Sequence, residues 1–431
     1  MSQQQDQNDQ DGQDGQDGQH RQDVARHGRD AGCMRRAIEL AGRASGLVTP
    51  NPLVGAVIAD EHGIVGEGWH RGVGERHAET DALIAAGARA RGATAYVTLE
   101  PCHHVGRTPP CTAALVDAGI ARVVYAVTDP NPIAAGGAAA LAAAGIRVDG
   151  GVEEISARYL ARAFLHHVET GRPWVIAKFA TSLDGRIATH AAHSRWITGA
   201  AARRAGHRSR QAVDAILVGA GTVLADDPSL TVRLPDDDAL AGALRHPRPV
   251  LLDSHGTLPV DGRLLSGSQG TRALHVVSDA VAVRDAARLA RSAAELVVCP
   301  ADPDTGRVAI PALLDALGAR RIQSLLVEGG ASVHGAFLDA DAIDEVHAYL
   351  APMLIGGSGA PPAIGGRGAS RLDDALRLDA LSVQRLGDDV GVSATVRRER
   401  RSVLAPRFTT HDRDVRSAGS PVPRSIANEA A

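Results

Sequence analysis

A histidine, a glutamate and two cysteines lie close together in the first half of the chain, at His77, Glu79, Cys102 and Cys111. One imidazole and two thiolates can hold a tetrahedral Zn²⁺ ion and leave its fourth position open for water. The metal lowers the pKa of that water toward about 7, and a carboxylate that is not a ligand can carry protons from it to a leaving nitrogen. The pattern predicts a zinc-dependent hydrolytic deaminase, in which Glu79 carries protons and the other three residues bind the metal.

The two cysteines are separated by the eight residues HHVGRTPP, whereas the general signature of zinc deaminases has two residues between them. This segment could form a loop at the mouth of the substrate pocket. It also offers His103 or His104 as a ligand in place of Cys111, an alternative that the motif leaves open. Prolines precede both Cys102 and Cys111, so we expect each near a helix N terminus, where the helix dipole favours a thiolate.

The remaining cysteines and the nearby histidines have no such context. Cys33 and Cys299 lie outside the motif and are interpreted as buried core residues. His62 and His70 are interpreted as surface or pocket-wall residues rather than ligands. Four cysteines in 431 residues are too few for a disulfide framework, which favours a reducing, cytoplasmic setting.

The overall composition argues against two classes of partner. Aromatic residues make up 3% of the chain and the formal net charge is −4, which disfavours a stacking platform or a basic surface for nucleic acid. No uninterrupted apolar run reaches the roughly 18 residues that a membrane-spanning helix needs. We expect a small-molecule substrate, no nucleic-acid or membrane partner, and a homo-oligomer of this chain.

Strand-like and helix-like segments alternate along the chain and predict an α/β fold, with helices on both faces of a largely parallel sheet. VGAVIAD and IVGEG have the pattern of a hairpin, while HAETDALIAAGARA and CTAALVDAGI have helical spacing. The residues GRP at 171–173 interrupt the alternation before a new strand, WVIAKFA. We expect two domains, at 31–168 and 172–397. The polar residues 1–30 and the charged residues 398–431 are predicted to be disordered tails.

Two strand–glycine–helix segments stand out in the second half. VEGGASVHGAF has Gly329 and Gly330 between a strand and a helix, where backbone N–H groups can receive a phosphate. It lacks the G-x-G-x-x-G pattern of a Rossmann fold, and an ordinary tight turn is the simpler local explanation. VGAGTVLADDPSLTVR contains Asp226 and Asp227. A helix cap with a salt bridge is a simpler interpretation of these carboxylates than a metal site.

A series of motifs runs along the chain in the order TPNPLVGAVI, GEGWH, HAE, TLEPC, GRTPPC, DPNP, SLDGR, WIT and TVLADDPSLTVR. Together they resemble the bifunctional riboflavin-biosynthesis deaminase/reductase family over residues 33–397. The resemblance implies a cytidine-deaminase-like α/β/α domain followed by a dihydrofolate-reductase-like α/β domain. It also implies zinc-dependent deamination of 2,5-diamino-6-ribosylamino-4(3H)-pyrimidinone 5′-phosphate, and then NADPH-dependent reduction of the ribosyl group to ribityl.

The resemblance implies site residues in both domains. It agrees with the zinc site and with Glu79, and it implies that Asn51 contacts the pyrimidine. Contacts with the nicotinamide nucleotide are implied for Ala180, Trp196, Thr222, Asp226, Gly330, Ala331, Ser332, Val333, His334, Gly335 and Ala336. Contacts with the reductase substrate are implied for Ser194, Arg210, Leu230, Arg233 and Glu328.

Side-chain chemistry gives some of these residues a specific task. Arg210 and Arg233 can grip the 5′-phosphate through bidentate hydrogen bonds, and Glu328 can accept from ribose hydroxyls or pyrimidine amines. Lys178 and Asp184, in KFATSLDGR, are expected near the reacting carbon without a firm role.

Two other functions compete with this interpretation. A nucleoside or tRNA-base deaminase with an appended domain would share the zinc motif, but the near-neutral charge and sparse aromatic residues disfavour an RNA substrate. Alternatively, the second domain could have lost catalysis and serve as a binding or oligomerisation module. The arginines and the glycine turn of that domain argue against a purely structural role.

Overall fold

Two α/β domains follow one another along the chain, each built around one sheet. The structure is a computed structural model that describes residues 24, 26–104, 109–235, 244–270 and 272–398. Among these residues, no helix is both long and apolar enough to cross a lipid bilayer.

The first domain begins with helix α1 (26–42), which is followed by a β-hairpin. Its strands are β1 (Gly55–Asp60), β2 (Gly63–Trp69), β3 (Thr94–Leu99), β4 (Arg122–Val127) and β5 (Arg147–Gly150). Its other helices are α2 (Ala78–Ala86), α3 (Cys111–Asp117), α4 (Gly137–Ala143), α5 (Glu154–Leu160) and α6 (Arg162–Thr170). The strand order is β2-β1-β3-β4-β5. The predicted hairpin is confirmed, and the predicted parallel pairing holds for β3, β4 and β5 but not for β1, which is antiparallel to both neighbours.

Both faces of this sheet are buried, as the alternation of side chains along β1 shows. Val57 packs in a core with residues of α1, α5 and α6, whereas Ile58 packs in a second core with α2, α3 and α4. Successive side chains of a strand point to opposite faces, so a strand that is apolar on both sides needs helices on both sides. The expected α/β/α layering is confirmed.

The first helix starts before the predicted boundary of the domain. Asp30 is buried, and both of its carboxylate oxygens accept hydrogen bonds of 2.8 Å from Arg122. Because this buried carboxylate is paired within the domain, residues 26–30 belong to the fold rather than to a tail. The rest of the predicted tails, 1–25 and 398–431, falls outside the described residues apart from Val24 and Arg398.

The second domain contains a nine-stranded sheet in the order β10-β9-β8-β7-β11-β6-β12-β14-β13. Its strands are β6 (Trp174–Ser182), β7 (Ala215–Gly219), β8 (Arg248–Leu252), β9 (Leu274–Ser278), β10 (Glu295–Cys299), β11 (Ser324–Val327), β12 (Glu345–Ala351), β13 (Leu378–Leu386) and β14 (Asp389–Val396). Its helices are α7 (Ala200–Gln211), α8 (Ala220–Asp226), α9 (Gly267–Gly270), α10 (Asp279–Arg284), α11 (Ala286–Leu289), α12 (Ile310–Gly318) and α13 (Ala331–Asp339). Pairing is parallel from β10 to β12, and the hairpin of β13 and β14 adds antiparallel strands at one edge.

The centre of this sheet positions the glycine turns that the sequence singled out. Helix α8 follows β7 directly, and α13 follows β11 after the turn that contains Gly329 and Gly330. Because β7 and β11 are adjacent and parallel, both helix N termini lie at the same edge of the sheet. That edge is where open α/β sheets bind their ligands.

A buried polar contact joins the two domains close to the predicted boundary. Helix α6 ends at Thr170 and β6 begins at Trp174. Across this connection, Arg162 Nε and the Tyr159 hydroxyl donate to the carboxylate of Glu345 at 2.7 and 2.9 Å. The domains therefore share a charged anchor in addition to the peptide chain.

Candidate active sites

Three separate segments carry the predicted metal ligands. His77 directly precedes α2, Cys102 lies in the irregular chain after β3, and Cys111 is the first residue of α3. The expected position at a helix N terminus therefore applies to Cys111 but not to Cys102. The sulfur of Cys102 nevertheless accepts from the backbone N–H of Cys111 at 3.5 Å, because its loop folds back against that helix start.

The ligand atoms of the three residues converge. They all lie within 4.8 Å of one another. His77 Nδ1 is 3.2 Å from Cys111 Sγ and 3.6 Å from Cys102 Sγ. Ligands that bind a tetrahedral Zn²⁺ ion at about 2.0–2.3 Å are themselves about 3.4–3.8 Å apart. The spacing and the donor types therefore fit a zinc ion.

The alternative ligands in the loop are less well placed. His103 Nδ1 faces a threonine hydroxyl 3.0 Å away, and among the described residues neither His103 nor His104 joins the group of ligand atoms. The structure therefore favours Cys111 as the third ligand. Cys33 and Cys299 are buried, as expected for core residues.

Glu79 lies in the first turn of α2, beside the cluster, and is 4% exposed. Burial raises the pKa of its carboxyl group, and the negative charge of the Cys102 thiolate raises it further. A carboxyl group with a raised pKa is better suited to exchange protons near neutral pH. The first domain therefore has a buried carboxyl group beside the three candidate metal ligands, and this carboxyl group is not itself a ligand.

A cavity of about 220 Å³ opens beside Glu79 and is lined by Asn51 and His70, among others. His70 Nδ1 lies 3.0 Å from the carbonyl oxygen of Arg76, which can only accept, so Nδ1 carries the proton and Nε2 is an acceptor. Asn51 Nδ2 therefore donates to His70 Nε2 at 2.9 Å. The amide oxygen of Asn51 remains to accept from a ligand, and His70 is the pocket-wall residue that we expected.

The same cavity contains polar residues to which sequence reasoning assigned no role, namely Glu100, Asp129 and Asn131. Glu100 accepts from the backbone N–H groups of Asp129 at 3.2 Å and Ala138 at 2.9 Å. It thereby braces the loop after β4 against the cavity. The motif DPNP was the available signal for this loop, but its composition alone indicates a turn.

A larger cleft of about 650 Å³ lies at the carboxyl ends of β7, β8 and β11. Ser194 and Glu328, which were predicted to contact the substrate, line this cleft. Seven of the residues predicted to contact the nucleotide line it as well: Thr222, Asp226, Gly330, Ala331, Ser332, Val333 and Ala336. The cleft brings together residues from distant parts of the chain at the edge of the sheet where a nucleotide is expected.

Two predicted nucleotide contacts lie on the opposite side of α13. The ring nitrogens of the buried His334 face the carbonyl oxygens of Val327 at 3.1 Å and Ala363 at 3.2 Å. A Cβ atom at Gly335 would lie 2.4 Å from the carbonyl carbon of Gly365 and from the nitrogen of Gly366. These two residues face the interior rather than the cleft, because residues that follow one another in a helix point in different directions.

A second cavity of about 530 Å³ in this domain carries several cationic side chains. Among its lining residues are Lys178, Trp196, Arg203, Arg204, His207, Arg210 and Arg233. Trp196, predicted to contact the nucleotide, lines this cavity rather than the cleft. Ala180 is on β6, two residues after Lys178, and does not line the cleft either.

Glu328 lies between the two cavities. It lines the cleft, while its carboxylate accepts from Arg210 Nε at 2.8 Å and Nη2 at 2.7 Å and lies 3.5 Å from Lys178 Nζ. Burial opposes ionisation, but Lys178 and Arg210 lower the pKa of Glu328 to about 2. Arg210 was predicted to bind a phosphate through two hydrogen bonds. In the structure it makes these two hydrogen bonds to Glu328, since a buried carboxylate needs a fixed cation.

The other two predicted substrate residues differ in their surroundings. Arg233 lines the cationic cavity, and its Nη1 donates to Ser229 at 2.9 Å. Leu230 is 3% exposed and packs in the core under β7 and β8, and it lines neither the cleft nor the cationic cavity. His207 has its pKa lowered to about 4 by burial and by the charges of Arg210 and Arg233, which keeps it neutral at pH 7.

Asp184 has a structural environment. Its carboxylate accepts from the Ser182 hydroxyl at 2.6 Å and from backbone N–H groups at 355–356 at 3.0 and 2.7 Å. These hydrogen bonds lower the pKa of Asp184 to about 2. Of the two polar residues expected near the reacting carbon, only Lys178 lines the cationic cavity.

The adjacent carboxylates after α8 are paired with arginines. Asp226 lies 3.1 Å from Arg195, and Asp227 lies 3.3 Å from Arg263. Neither belongs to a group of ligand atoms that could hold a metal within the described part of the chain. The salt-bridge interpretation of these residues therefore agrees with the structure.

The far part of the cleft is lined by residues that the sequence did not indicate, including Ser254, His255, Thr257 and Arg307. The first three follow β8 in the segment LLDSHGT. The sequence feature that could have indicated these three residues is a polar run directly after an apolar strand. Such a run predicts the end of a strand at the edge of a sheet, but it does not show which other segments lie beside it. Arg307 comes from a distant loop that only the folded chain brings to the cleft.

Comparison with known proteins identifies a family for each of the two domains. Residues 28–127 match the family described as cytidine and deoxycytidylate deaminase zinc-binding region. Residues 173–392 match the family described as RibD C-terminal domain. The two matched regions fall in the first and the second domain of the structure, in that order. They confirm the cytidine-deaminase-like fold of the first domain and the reductase fold of the second.

Full-length relatives have the same two-part organisation. Riboflavin biosynthesis protein RibD of Bacillus amyloliquefaciens is 44% identical and covers 84% of this chain and 95% of its own. RibD of Escherichia coli is 40% identical and covers 83% and 96%. A solved structure of Acinetobacter baumannii RibD is 37% identical, with a TM-score of 0.75 over 86% of this chain and 100% of its own. One from Thermotoga maritima, described as a diaminohydroxyphosphoribosylaminopyrimidine deaminase/5-amino-6-(5-phosphoribosylamino)uracil reductase, is 33% identical, with a TM-score of 0.72 over 86% and 100%. The chain therefore belongs to the RibD family of riboflavin biosynthesis enzymes and unites a zinc-dependent deaminase with an NADPH-dependent reductase.

Proposed function

We propose that the first domain deaminates 2,5-diamino-6-ribosylamino-4(3H)-pyrimidinone 5′-phosphate at its 2-amino group, and that the second domain reduces the ribosyl group of the product to ribityl. The observation that carries this proposal is the convergence of His77, Cys102 and Cys111 beside the buried Glu79. The name of the Thermotoga maritima relative supports the same pair of substrates.

In the deaminase, His77, Cys102 and Cys111 hold the zinc ion, which supplies an activated water when bound. Glu79, whose buried carboxyl group lies beside these ligands, would carry a proton to the leaving amine, a role that its raised pKa supports. Asn51 orients the pyrimidine through its amide oxygen, because its amide nitrogen is committed to His70.

In the reductase, the cleft receives NADPH and the cationic cavity receives the phosphorylated substrate. Glu328 lines the cleft and is paired with Arg210 and Lys178 of the cationic cavity, so the ribosyl carbon would meet the nicotinamide close to this residue. Arg233 lies in the cationic cavity with further cationic side chains, which suits a phosphate dianion. Hydride transfer requires mainly correct positioning and exclusion of water, which matches the lack of a sharper catalytic motif.

The test compares Glu79→Gln with the wild-type protein in two assays. The wild type should release ammonia from the diamino substrate and oxidise NADPH with the deaminated product. Glu79→Gln should lose at least about 100-fold in ammonia release, since proton transfer by a positioned side chain contributes 10²–10⁴-fold. It should keep its zinc and its NADPH oxidation, and Glu75→Gln, an exposed control, should resemble the wild type. Near-normal deamination by Glu79→Gln would contradict the role of this residue.

Two further expectations belong to the same proposal. The homo-oligomeric state and the cytoplasmic location remain predictions, and sedimentation of the purified protein tests the first. The alternative of a non-catalytic second domain predicts no NADPH oxidation, and the match to the reductase family argues against it.

A further inference from the structure

One segment of the deaminase domain touches the reductase domain at two points. The segment comprises residues 43–54, between α1 and β1, and it carries Asn51 into the deaminase cavity. A Cβ atom at Gly46 would lie 2.1 Å from the carbonyl oxygen of Gln211, at the end of α7. The carbonyl oxygen of Pro50 accepts a hydrogen bond of 2.8 Å from Gln323 Nε2.

Gln323 is a rigid donor. It is 4% exposed and lies directly before β11, in the reductase domain. Its backbone N–H donates to Asp214 at 3.0 Å, and its carbonyl accepts from the N–H of Trp174 at 2.8 Å. Since both backbone groups are hydrogen-bonded, one to the carboxylate of Asp214 and one to the first residue of β6, the side chain presents its amide to Pro50 from a fixed backbone position.

This hydrogen bond acts on the residue next to it. The carbonyl of Pro50 and the N–H of Asn51 belong to one planar peptide group, so holding the carbonyl fixes the orientation of that plane. The same N–H donates to the carbonyl of Val48 at 2.8 Å, and the side chain of Asn51 donates to His70 at 2.9 Å. Gln323 therefore supplies the one restraint in this set that comes from the other domain.

We propose that Gln323, a residue of the reductase domain, is a positioning residue of the deaminase, because it orients Asn51 through the peptide group of Pro50. The inference rests on the proposed contact of Asn51 with the pyrimidine. It adds a specific dependence: deaminase substrate affinity requires a hydrogen bond from the reductase domain.

The decisive variant is Gln323→Leu, which keeps a side chain of similar size and removes the donor. Loss of a neutral hydrogen bond should raise the deaminase KM about 2- to 10-fold. The deaminase kcat, the zinc content and the reductase KM values should stay within twofold of wild type, which a general loss of folding would not allow. Gln384→Leu, an exposed glutamine on β13, is the matched control and should leave both activities unchanged.

A double-mutant cycle shows whether Gln323 acts through Asn51. Asn51→Ala alone should raise the deaminase KM, and adding Gln323→Leu should raise it no further. An unchanged KM in Gln323→Leu, or multiplied effects of the two substitutions, would overturn the inference. If the wild-type protein fails to deaminate the substrate at all, the proposed function fails; if the wild type is active and Gln323→Leu resembles it, only this inference fails.

Discussion

At the scale of single residues, Arg210 and Glu328 form a bidentate ion pair between the cleft and the cationic cavity. The two partners are 118 residues apart in the chain and make two hydrogen bonds, of 2.8 and 2.7 Å. Burial on its own would favour the neutral carboxyl group, and the nearby cations reverse that preference. The ionisation of Glu328 therefore depends on a partner that no local motif reveals.

Replacing Arg210 by alanine should alter the pH dependence of the reductase. Without the guanidinium, only Lys178 still opposes the effect of burial, so the pKa of Glu328 rises from about 2. The carboxylate then takes up a proton as the pH falls, so the variant should lose kcat/KM on the acidic side where the wild type does not. At pH 7 we expect a loss of about 10- to 100-fold, since hydrogen bonds to charged groups contribute about 1.5–3 kcal/mol.

The measurement is the pH profile of NADPH oxidation with the deaminated product as substrate. Deamination by the same variant serves as the internal control and should remain normal. A profile parallel to that of the wild type would contradict a charge-supporting role for Arg210.

At the scale of elements, α13 lies between the larger cleft and the loop around Gly365. The first residues of this helix line the cleft, and Gly335 on its other side packs directly on that loop. A side chain at Gly335 would meet backbone atoms, which cannot rotate out of the way. The contact between Gly335 and this loop therefore fixes the position of α13. The resemblance had implied instead that Gly335 contacts the nucleotide.

Gly335→Ala should weaken NADPH binding without touching the ligand directly. The added methyl group forces α13 away from the loop, and overpacking of this kind costs about 1–3 kcal/mol of stability. Fluorescence titration with NADPH and urea unfolding measure the two effects. Gly32→Ala, at an exposed position of α1 with open space around it, is the control and should not destabilise. Unchanged NADPH affinity in Gly335→Ala would refute this account.

Individual helices and strands were easier to predict from the sequence than the contacts between them. The apolar runs at β1 and β7, the helix of the HAE motif and the glycine turn before α13 were all recognisable, because strand and helix periodicity is local. The order of the second sheet, in which β6 and β7 flank β11, arises from packing between segments over 100 residues apart. For the same reason the orientations of Leu230 and His334 could not be predicted, since each depends on which distant segment covers it.

At the scale of the whole molecule, Glu345 anchors one domain to the other. Its carboxylate is 1% exposed and accepts from Arg162 and Tyr159 of the deaminase domain. The side chains of Trp174 and His347 complete its surroundings at 2.9 Å each. Burial opposes its ionisation, but the charge of Arg162 and the contact with His347 hold the pKa of Glu345 below its usual range.

Glu345→Gln should destabilise the protein by about 3 kcal/mol at pH 7, because it leaves the Arg162 guanidinium without its counter-charge. The folded-state pKa of Glu345 is depressed, so its contribution is complete above the ordinary value of 4.5 and declines as the pH falls toward the folded-state value. Urea unfolding at pH 7 and pH 3 should therefore show a smaller difference between variant and wild type at the lower pH. Glu169→Gln, an exposed residue of α6, is the control; an equal loss for both variants would contradict the anchor.

The anchor also limits how the polypeptide can be divided. Cleavage between Thr170 and Trp174 falls in a short connection, yet each fragment would keep half of an ion pair. The deaminase fragment would expose the Arg162 guanidinium without its carboxylate partner. The reductase fragment would expose the carboxylate of Glu345 to solvent. Separate production of the halves therefore calls for compensating replacements at 162 and 345, and the deaminase half would also lose the amide that holds Pro50.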